Sequence, residues 1–248
     1  MIYTGLLKKI RSYCHETRKV ISVKDVSPNM LEIIKTFPRW LSSQKPGRNP
    51  IDDQWPWFNF ASKDCLEKIL KKEMTVFEYG SGGSTLFFAK RCESVTSIEH
   101  DVGWAEKVRS TMISKGFKNW NYYVEQPSSY DSDSKAASDP RQYLSGSSKY
   151  YGMQFKNYAC LIDQYPDASY DIVLIDGRAR PSCFMHSFRK VKRGGYIILD
   201  NAERPHYSYI HDTLTKEKWI KRDFYGPGPY VEYFWRTTIW QNKSDSIG

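Results

Sequence analysis

The segment from Thr75 to Thr85 (TVFEYGSGGST) constrains the fold of this chain more than any other stretch. Its apolar start predicts the end of a buried strand, and glycines at 80, 82 and 83 predict a tight turn. Ser84 then caps a helix expected over 85–91. A strand, a glycine turn and a helix N-terminus in succession let the backbone approach a ligand closely, with free N–H groups directed at it.

A second acidic position indicates which ligand class this turn serves. Nineteen residues after Gly80, the apolar run over 95–98 ends in Glu99. A carboxylate at about this offset, at the tip of the second strand, is placed to accept hydrogen bonds from both ribose hydroxyls of a nucleoside. The two segments together predict a nucleoside-binding half of an α/β fold.

The residues of the turn exclude two common nucleotide sites. A P-loop needs Gly-Lys-Ser/Thr after the turn, but residues 83–85 are Gly-Ser-Thr. A dinucleotide site needs glycine where Thr85 stands, and Glu78 would repel a pyrophosphate. A carboxylate at Glu78 instead suits a ligand with a cationic end, such as S-adenosylmethionine (SAM). The alternative is a glycine turn that serves only to pack the strand against the helix.

At this point the chain resembles class I SAM-dependent methyltransferases, whose first motif has the form Glu/Asp-x-Gly-x-Gly. Residues 78–82 match that motif, and residues 97–100 (SIEH) match the acidic second motif. The resemblance implies that Glu99 holds the ribose, while His100 and Glu125 flank the adenine. The cofactor-binding residues that it implies are Glu78, Tyr79, Gly80, Ser81, Gly82, Ser84, Thr85, Glu99, His100, Glu125 and Asp176.

Alternating apolar strands and helices predict the rest of the fold. Five further strands are expected, at 121–125, 170–175, 196–199, 219–224 and 232–240. This order predicts an α/β class, a doubly wound, mostly parallel seven-stranded sheet. The resemblance implies a Rossmann-like methyltransferase fold with an antiparallel C-terminal strand. Residues 1–54 are expected to form a basic helical N-terminal extension and linker, before a SAM-binding methyltransferase domain at 55–248.

Two local features fall outside this regular pattern. Ser27 and Pro28 are expected to begin a helix that Pro38 ends. Residues 127–150 form a long polar stretch that contains Pro140 and Gly146. Because loops of this length inside compact domains are usually functional or mobile, the stretch predicts a substrate lid or a disordered segment.

Acidic and amide side chains follow two later strands, where open parallel sheets bind ligands. Asp176 follows the fourth strand, and Asp200 and Asn201 follow the fifth. These hard oxygen ligands suit Mg²⁺, and the pattern resembles catechol-type O-methyltransferases, in which a divalent metal activates the substrate hydroxyl. Arg178 and Arg180 lie close by, and either one pairs with the carboxylates in place of a metal or binds an anionic substrate. The sequence leaves these alternatives open.

Methylation of a hydroxyl without a metal needs a general base, which is typically worth ~10²–10⁴ in rate. The catalytic candidates are Asp176 and His206, and His206 lies just past the fifth strand. We expect a methyltransferase that acts on an oxygen of a small molecule or sugar. A nucleic-acid or protein methyltransferase is one alternative. A catalytically silent SAM-binding partner protein is the other.

The charge distribution and the cysteine content limit which partners and which cellular compartment we expect for the chain. The net charge is +9, of which residues 1–50 contribute +7, so the predicted catalytic domain is nearly neutral. This argues against a nucleic-acid substrate and leaves the basic extension either simply solvated or in contact with an anionic membrane surface or an acidic partner. Five scattered cysteines predict reduced thiols and a cytoplasmic protein. No apolar stretch approaches the roughly 20 residues of a membrane span, and the oligomeric state stays open.

Overall fold

The computed structural model describes residues 2–23, 30–130 and 136–243, and it describes no side chains for residues 2–4. The helix start expected at Ser27 and Pro28 lies outside these residues. Among the helices of the described ranges, none is long and apolar enough to cross a bilayer.

A seven-stranded sheet forms the centre of the fold. Its strands are β1 Thr75–Tyr79, β2 Ser94–Glu99, β3 Trp120–Val124, β6 Tyr170–Ile175, β7 Val191–Leu199, β8 Ile220–Gly226 and β9 Trp235–Gln241. The strand order is β3-β2-β1-β6-β7-β9-β8, and β9 runs antiparallel to both of its neighbours while the remaining pairs are parallel. The predicted doubly wound, mostly parallel sheet with an antiparallel C-terminal strand is confirmed.

Helices cover both faces of this sheet. They are α1 Ile2–Ser22, α2 Met30–Ser43, α3 Phe60–Ile69, α4 Gly83–Ala89, α5 Val102–Ser114, α6 Lys156–Cys160, α7 Arg180–Ser187 and α8 Ser208–Lys216. Short 3₁₀ turns lie at Pro140–Gln142, Ser148–Tyr150, Leu161–Gln164, Phe188–Lys190 and Pro205–Tyr207. Two further short strands, β4 Ser128–Ser129 and β5 Met153–Gln154, pair antiparallel in the long polar stretch.

The alternation of side chains along each strand builds two separate apolar layers. In β1, Val76 packs into the layer on the side of α4 and α5, whereas Phe77 and Tyr79 pack into the layer on the side of α6, α7 and α8. Successive residues of a strand point to opposite faces, so a strand buried on both sides must be apolar throughout. This is why β6 contains an unbroken run, Ile172–Ile175, with no exposure to solvent.

The boundaries of several elements differ from the prediction. β7 begins at Val191 rather than at 196, because Val191 pairs with Tyr170 ahead of a register shift in that ladder. The prediction that Pro38 ends its helix is wrong, since α2 continues to Ser43. Trp40, which lies beyond the proline, is fully buried and donates to the Val231 carbonyl at 3.0 Å, and this tertiary packing stabilises the last turn.

The N-terminal helices pack on the main body. Tyr13 of α1 contacts Trp40 of α2 with ring centroids 4.9 Å apart, and Glu16 accepts a hydrogen bond from the Phe234 N–H at 3.1 Å. The opposite face of α1 exposes Leu7 and Ile21. The division of the chain at residues 54 and 55 stays a prediction, and so does contact between the basic extension and an anionic membrane surface.

Candidate active-site cleft

A cleft of about 500 Å³ opens at the carboxyl ends of β1, β2, β6 and β7. The order of strands along the chain reverses between β1 and β6, which is where open α/β sheets bind ligands. Nine of the residues predicted to bind cofactor or metal or to act in catalysis line this cleft: Gly80, Ser81, Gly82, Ser84, Glu99, His100, Asp176, Asp200 and Asn201.

The glycine turn owes its shape to close backbone contacts. Gly80 has φ +91°, and a Cβ there would lie 3.0 Å from the backbone of Gly177, so the ends of β1 and β6 approach each other only because both residues lack side chains. A Cβ on Gly83 would meet the Pro50 carbonyl oxygen at 2.3 Å. The segment before α3 therefore packs directly on the start of α4, a contact that local sequence patterns do not reveal.

Glu99 fastens this turn from the neighbouring strand. Its Oε2 accepts the Ser81 N–H at 3.0 Å, and its Oε1 accepts the N–H groups of His100 and Asp101 at 2.8 and 3.0 Å. Burial alone would raise the pKa of Glu99, but His100 and the backbone donors outweigh it and lower the pKa below its ordinary value. The carboxylate is therefore ionised at neutral pH and lies in the wall of the cleft.

Two aromatic side chains, Trp104 and Tyr150, form hydrogen-bond contacts in the same wall of the cleft. The Trp104 indole N–H donates to the Ser81 carbonyl at 2.7 Å, and His100 Nε2 lies 2.7 Å from the Tyr150 hydroxyl. Sequence reasoning did not identify Trp104 or Tyr150. The position of Trp104 three residues after Asp101, the residue that caps α5, is the one local signal that could have indicated it.

Glu78 lies beneath the turn rather than in the wall of the cleft. Its Oε1 accepts hydrogen bonds from the hydroxyls of Thr85 and Ser97, and the Thr85 oxygen in turn accepts the Gly82 N–H at 3.0 Å. Burial raises the pKa of Glu78 to about 7. Its Oε2 is buried without a hydrogen-bond partner. Glu78 and Thr85 thus support the glycine turn from below.

The structure does not bring three other predicted residues into this cleft. The Tyr79 side chain is fully buried and donates its hydroxyl to the Ala159 carbonyl at 2.8 Å. Glu125 follows β3, outside the wall of the cleft, and contacts Glu99 through a backbone hydrogen bond of 2.8 Å. His206 lies on the 3₁₀ turn after β7 and lines a neighbouring cavity instead.

The guanidinium of Arg180 occupies the centre of the predicted metal site. Arg180 is 6% exposed, and its Nη2 donates to Asp176 Oδ1 at 3.0 Å and to Asn201 Oδ1 at 3.3 Å. The same side chain donates to the backbone carbonyls of Gly177, Asp176 and Asp200. Arginine is well suited to this place because its planar fork bonds several oxygen atoms at once.

Asp200 points toward the last strand. Its Oδ1 accepts the Trp235 indole N–H at 2.8 Å and the Thr237 hydroxyl at 2.6 Å. Burial, with Asp176 adding to it, raises the pKa of Asp200 to about 8, and burial raises the pKa of Asp176 to about 6. Since the Arg180 cation bonds Asp176 Oδ1 and Asn201 Oδ1, and residues of β9 bond Asp200 Oδ1, this donor set does not fit a divalent metal.

Replacing Asp200 with asparagine should make the protein less sensitive to alkaline pH. A folded-state pKa raised from 3.8 to about 8 means that the stabilisation by the neutral form is complete below pH ~4 and is lost as pH rises through 8. Asparagine cannot ionise, so the variant does not suffer this loss. The unfolding free energy of the variant minus that of the wild type should therefore be roughly 2–5 kcal/mol larger at pH 9 than at pH 5.

Urea unfolding at the two pH values measures this difference. Asp212→Asn, on the exposed side of α8, is the matched control and should follow the wild type. An Asp200→Asn curve parallel to that of the wild type across this range would show that the buried carboxyl does not titrate there.

Three solved structures illustrate what the chain is similar to. The O-methyltransferase from Bacillus cereus, in complex with S-adenosylhomocysteine (SAH), is 14% identical. It matches with a TM-score of 0.54 over 93% of this chain and 100% of that one. TomG from Streptomyces achromogenes, an O-methyltransferase of tomaymycin synthesis in complex with SAM, is 14% identical, with a TM-score of 0.52 over 73% of this chain and 77% of that one.

The third is an rRNA methylase from Streptococcus thermophilus, 10% identical, with a TM-score of 0.50 over 74% of this chain and 95% of that one. No protein-family model and no curated protein matches the chain. Identities this low show the fold alone, and the names of the second and third structures point to different acceptors. The likeness confirms the predicted architecture: the chain has the Rossmann-like fold of class I SAM-dependent methyltransferases.

Proposed function

We propose that this protein transfers a methyl group from SAM to an oxygen atom of a small acceptor molecule or sugar. The observation that carries the proposal is Glu99, an ionised carboxylate in the wall of the cleft, bonded to the N–H of Ser81 in the glycine turn. A carboxylate at this strand tip is suited to ribose hydroxyls. The fold, which is shared with O-methyltransferases, supports the same proposal.

The residues of the cleft fit SAM in two further respects. Gly80 and Gly82 expose backbone along one wall, and Trp104 lies 3.6 Å from the place where a Cβ of Gly82 would stand, so a ligand can approach the backbone closely at these two positions. The unpartnered Oε2 of Glu78, beneath this turn, is an open acceptor on the side where a cationic ligand would lie. When bound, SAM supplies a methyl group on a positively charged sulfur.

We assign to Asp176 the role of the general base, which accepts the proton of the acceptor hydroxyl. It lines the cleft, and Arg180 binds its Oδ1 at 3.0 Å, which fixes the orientation of the carboxyl group. With a pKa raised to about 6 by burial, the group is mostly ionised at neutral pH and still basic enough to accept a proton. When the acceptor oxygen bonds to the methyl carbon and the bond between that carbon and the SAM sulfur breaks, SAH would be released and the hydroxyl proton would pass to Asp176.

His206, the second predicted base, has a different position. Burial and the nearby Arg204 and Arg180 lower its pKa, so the imidazole is neutral at pH 7. It lines the neighbouring cavity and not the cleft. We therefore assign proton transfer to Asp176 and give His206 a place in acceptor binding.

Calorimetric titration with SAH tests this function and the absence of a metal requirement together. We expect SAH to bind the wild-type protein with the same affinity in Mg²⁺ and in chelator, because Arg180 already bonds Asp176 and Asn201. Failure of the folded protein to bind SAH would refute the methyltransferase assignment. A Mg²⁺ binding signal that disappears in Asp200→Ala would instead restore the metal site.

A further inference from the structure

A second cavity, of about 300 Å³, adjoins the cleft on the side of α7. Its wall combines residues 144–147 of the long polar stretch with the start of α7 and the 3₁₀ turn after β7. Gly177, Arg178, Arg180 and Arg204 line both spaces, so the cavity and the cleft are continuous across these residues. Of the residues that line this cavity alone, the proposed function uses only His206.

The charge of this cavity is one-sided. Three arginines line it, at 178, 180 and 204, and among its described lining residues there is no aspartate or glutamate. Arg180 is neutralised by Asp176. Within the described residues, Arg178 and Arg204 form no ion pair with a carboxylate: their polar contacts are 3.5 Å from Arg178 Nε to His100 Nε2 and 3.5 Å from Arg204 Nη1 to the Tyr207 hydroxyl.

The positions of the two arginines suit recognition rather than structural support. Arg178 is half-buried, and its guanidinium carbon lies 5.2 Å from the centroid of the Tyr150 ring, which holds the side chain at the junction of cleft and cavity. Arg204 is exposed and lies across that junction. Two cations on one cavity wall attract an anion and can bond its oxygen atoms from two directions.

Smaller donors complete the lining of the cavity. Ser145 and Ser147 contribute hydroxyl groups, and Ala179 and Arg180 bring the start of α7, whose dipole favours a negative charge. His206 is uncharged there, and Gly146 faces it so closely that a Cβ on residue 146 would lie 3.1 Å from His206 Nε2. The glycine therefore leaves room beside the imidazole.

We propose that the second cavity binds an oxyanion group, a carboxylate or a phosphate, of the methyl acceptor. This rests on the proposed function, because the acceptor hydroxyl would then extend from the cavity across Arg178 and Arg204 toward Asp176 in the cleft. The acceptor is accordingly an acid, such as a hydroxy acid or a phosphorylated sugar, rather than a neutral molecule. Residues 144–147 of the stretch predicted to be a lid supply one wall of its binding site.

Thermal unfolding in the presence of simple anions tests the proposal. Inorganic phosphate and acetate are titrated separately, each against sodium chloride of equal ionic strength. The anion that stabilises the wild type at the lower concentration identifies the acceptor group as phosphoryl or carboxyl. The half-saturating concentration should rise about 10–100-fold in Arg204→Ala and in Arg178→Ala. It should stay unchanged in Arg141→Ala, which removes an exposed arginine of the same polar stretch that pairs with Asp139.

Gly146→Ala tests the cavity without altering the cleft, because Gly146 lines the cavity and does not line the cleft. Its added Cβ narrows the cavity beside His206 without changing the charge, and we expect weaker anion binding. The proposal would be overturned if sodium chloride stabilised the protein as much as phosphate or acetate does. It would also be overturned if Arg204→Ala weakened anion binding while Gly146→Ala left it unchanged. SAH titration of the same wild-type sample keeps the two hypotheses apart: SAH binding without anion binding refutes the oxyanion cavity, and the reverse refutes the methyltransferase function.

Discussion

Replacing Glu99 with alanine is expected to lower the affinity for SAH by at least about 100-fold. Hydrogen bonds to a charged group are each worth about 1.5–3 kcal/mol, and a ribose offers two hydroxyls to this carboxylate. Glu99 is 3% exposed and ionised, so no other group of the cleft wall supplies the same acceptor at the tip of β2. Isothermal titration of the folded variant with SAH measures the change.

Glu99 also holds the glycine turn, so the variant needs two comparisons. Glu99→Gln keeps a side-chain oxygen for the Ser81 N–H while it removes the charge, and it should bind SAH with intermediate affinity. Glu93→Ala removes an exposed carboxylate just before β2 and should bind as the wild type does. Equal affinity for SAH in folded Glu99→Ala and in Glu93→Ala would disprove the ribose contact.

The sequence predicted most of the strand tips that form the cleft, but it also placed Glu125 there, which lies outside the wall. Apolar runs end at Glu99, Asp176 and Asp200, and parallel strands bring such ends to one edge of a sheet, so their convergence follows from the pattern alone. The same periodicity also explains why part of the first motif does not reach the cleft. Glu78 and Tyr79 are successive strand residues and therefore point to opposite faces, one beneath the turn and one into the apolar layer.

The rest of the site depends on contacts between distant segments. Trp57 and Tyr233 reach the cleft from the ends of loops far apart in sequence, and no local pattern places them there. The sequence likewise left Arg178 and Arg180 equivalent. They differ because Ala179, at φ +45°, turns the chain between them, so that Arg180 points back to the carbonyls at the ends of β6 and β7 while Arg178 faces the cleft.

Removing the Arg180 side chain should destabilise the protein strongly, in a way that depends on pH. Breaking a buried ion pair by deleting one partner costs about 3–5 kcal/mol, because the remaining charge loses the partner that offsets its burial. In Arg180→Ala that charge is Asp176, whose pKa the arginine holds down against the effect of burial. For a domain of this size the loss corresponds to a fall of about 6–20 °C in Tm.

The pH dependence distinguishes a lost ion pair from a simple packing defect. Without Arg180 the folded-state pKa of Asp176 rises further above 6, so the carboxyl is protonated and neutral at pH 5. At pH 8 the folded protein either holds an ionised carboxylate without its partner or binds a proton from dilute solution, and both cost free energy. The loss of unfolding free energy should therefore be larger at pH 8 than at pH 5, and Asp176→Asn in the same chain should recover part of it. Arg189→Ala, which breaks an exposed pair with Asp167, should cost less than about 1 kcal/mol at both values. Equal losses at pH 5 and pH 8 for Arg180→Ala would mean that the guanidinium fills space in this site but does not compensate the charge of Asp176.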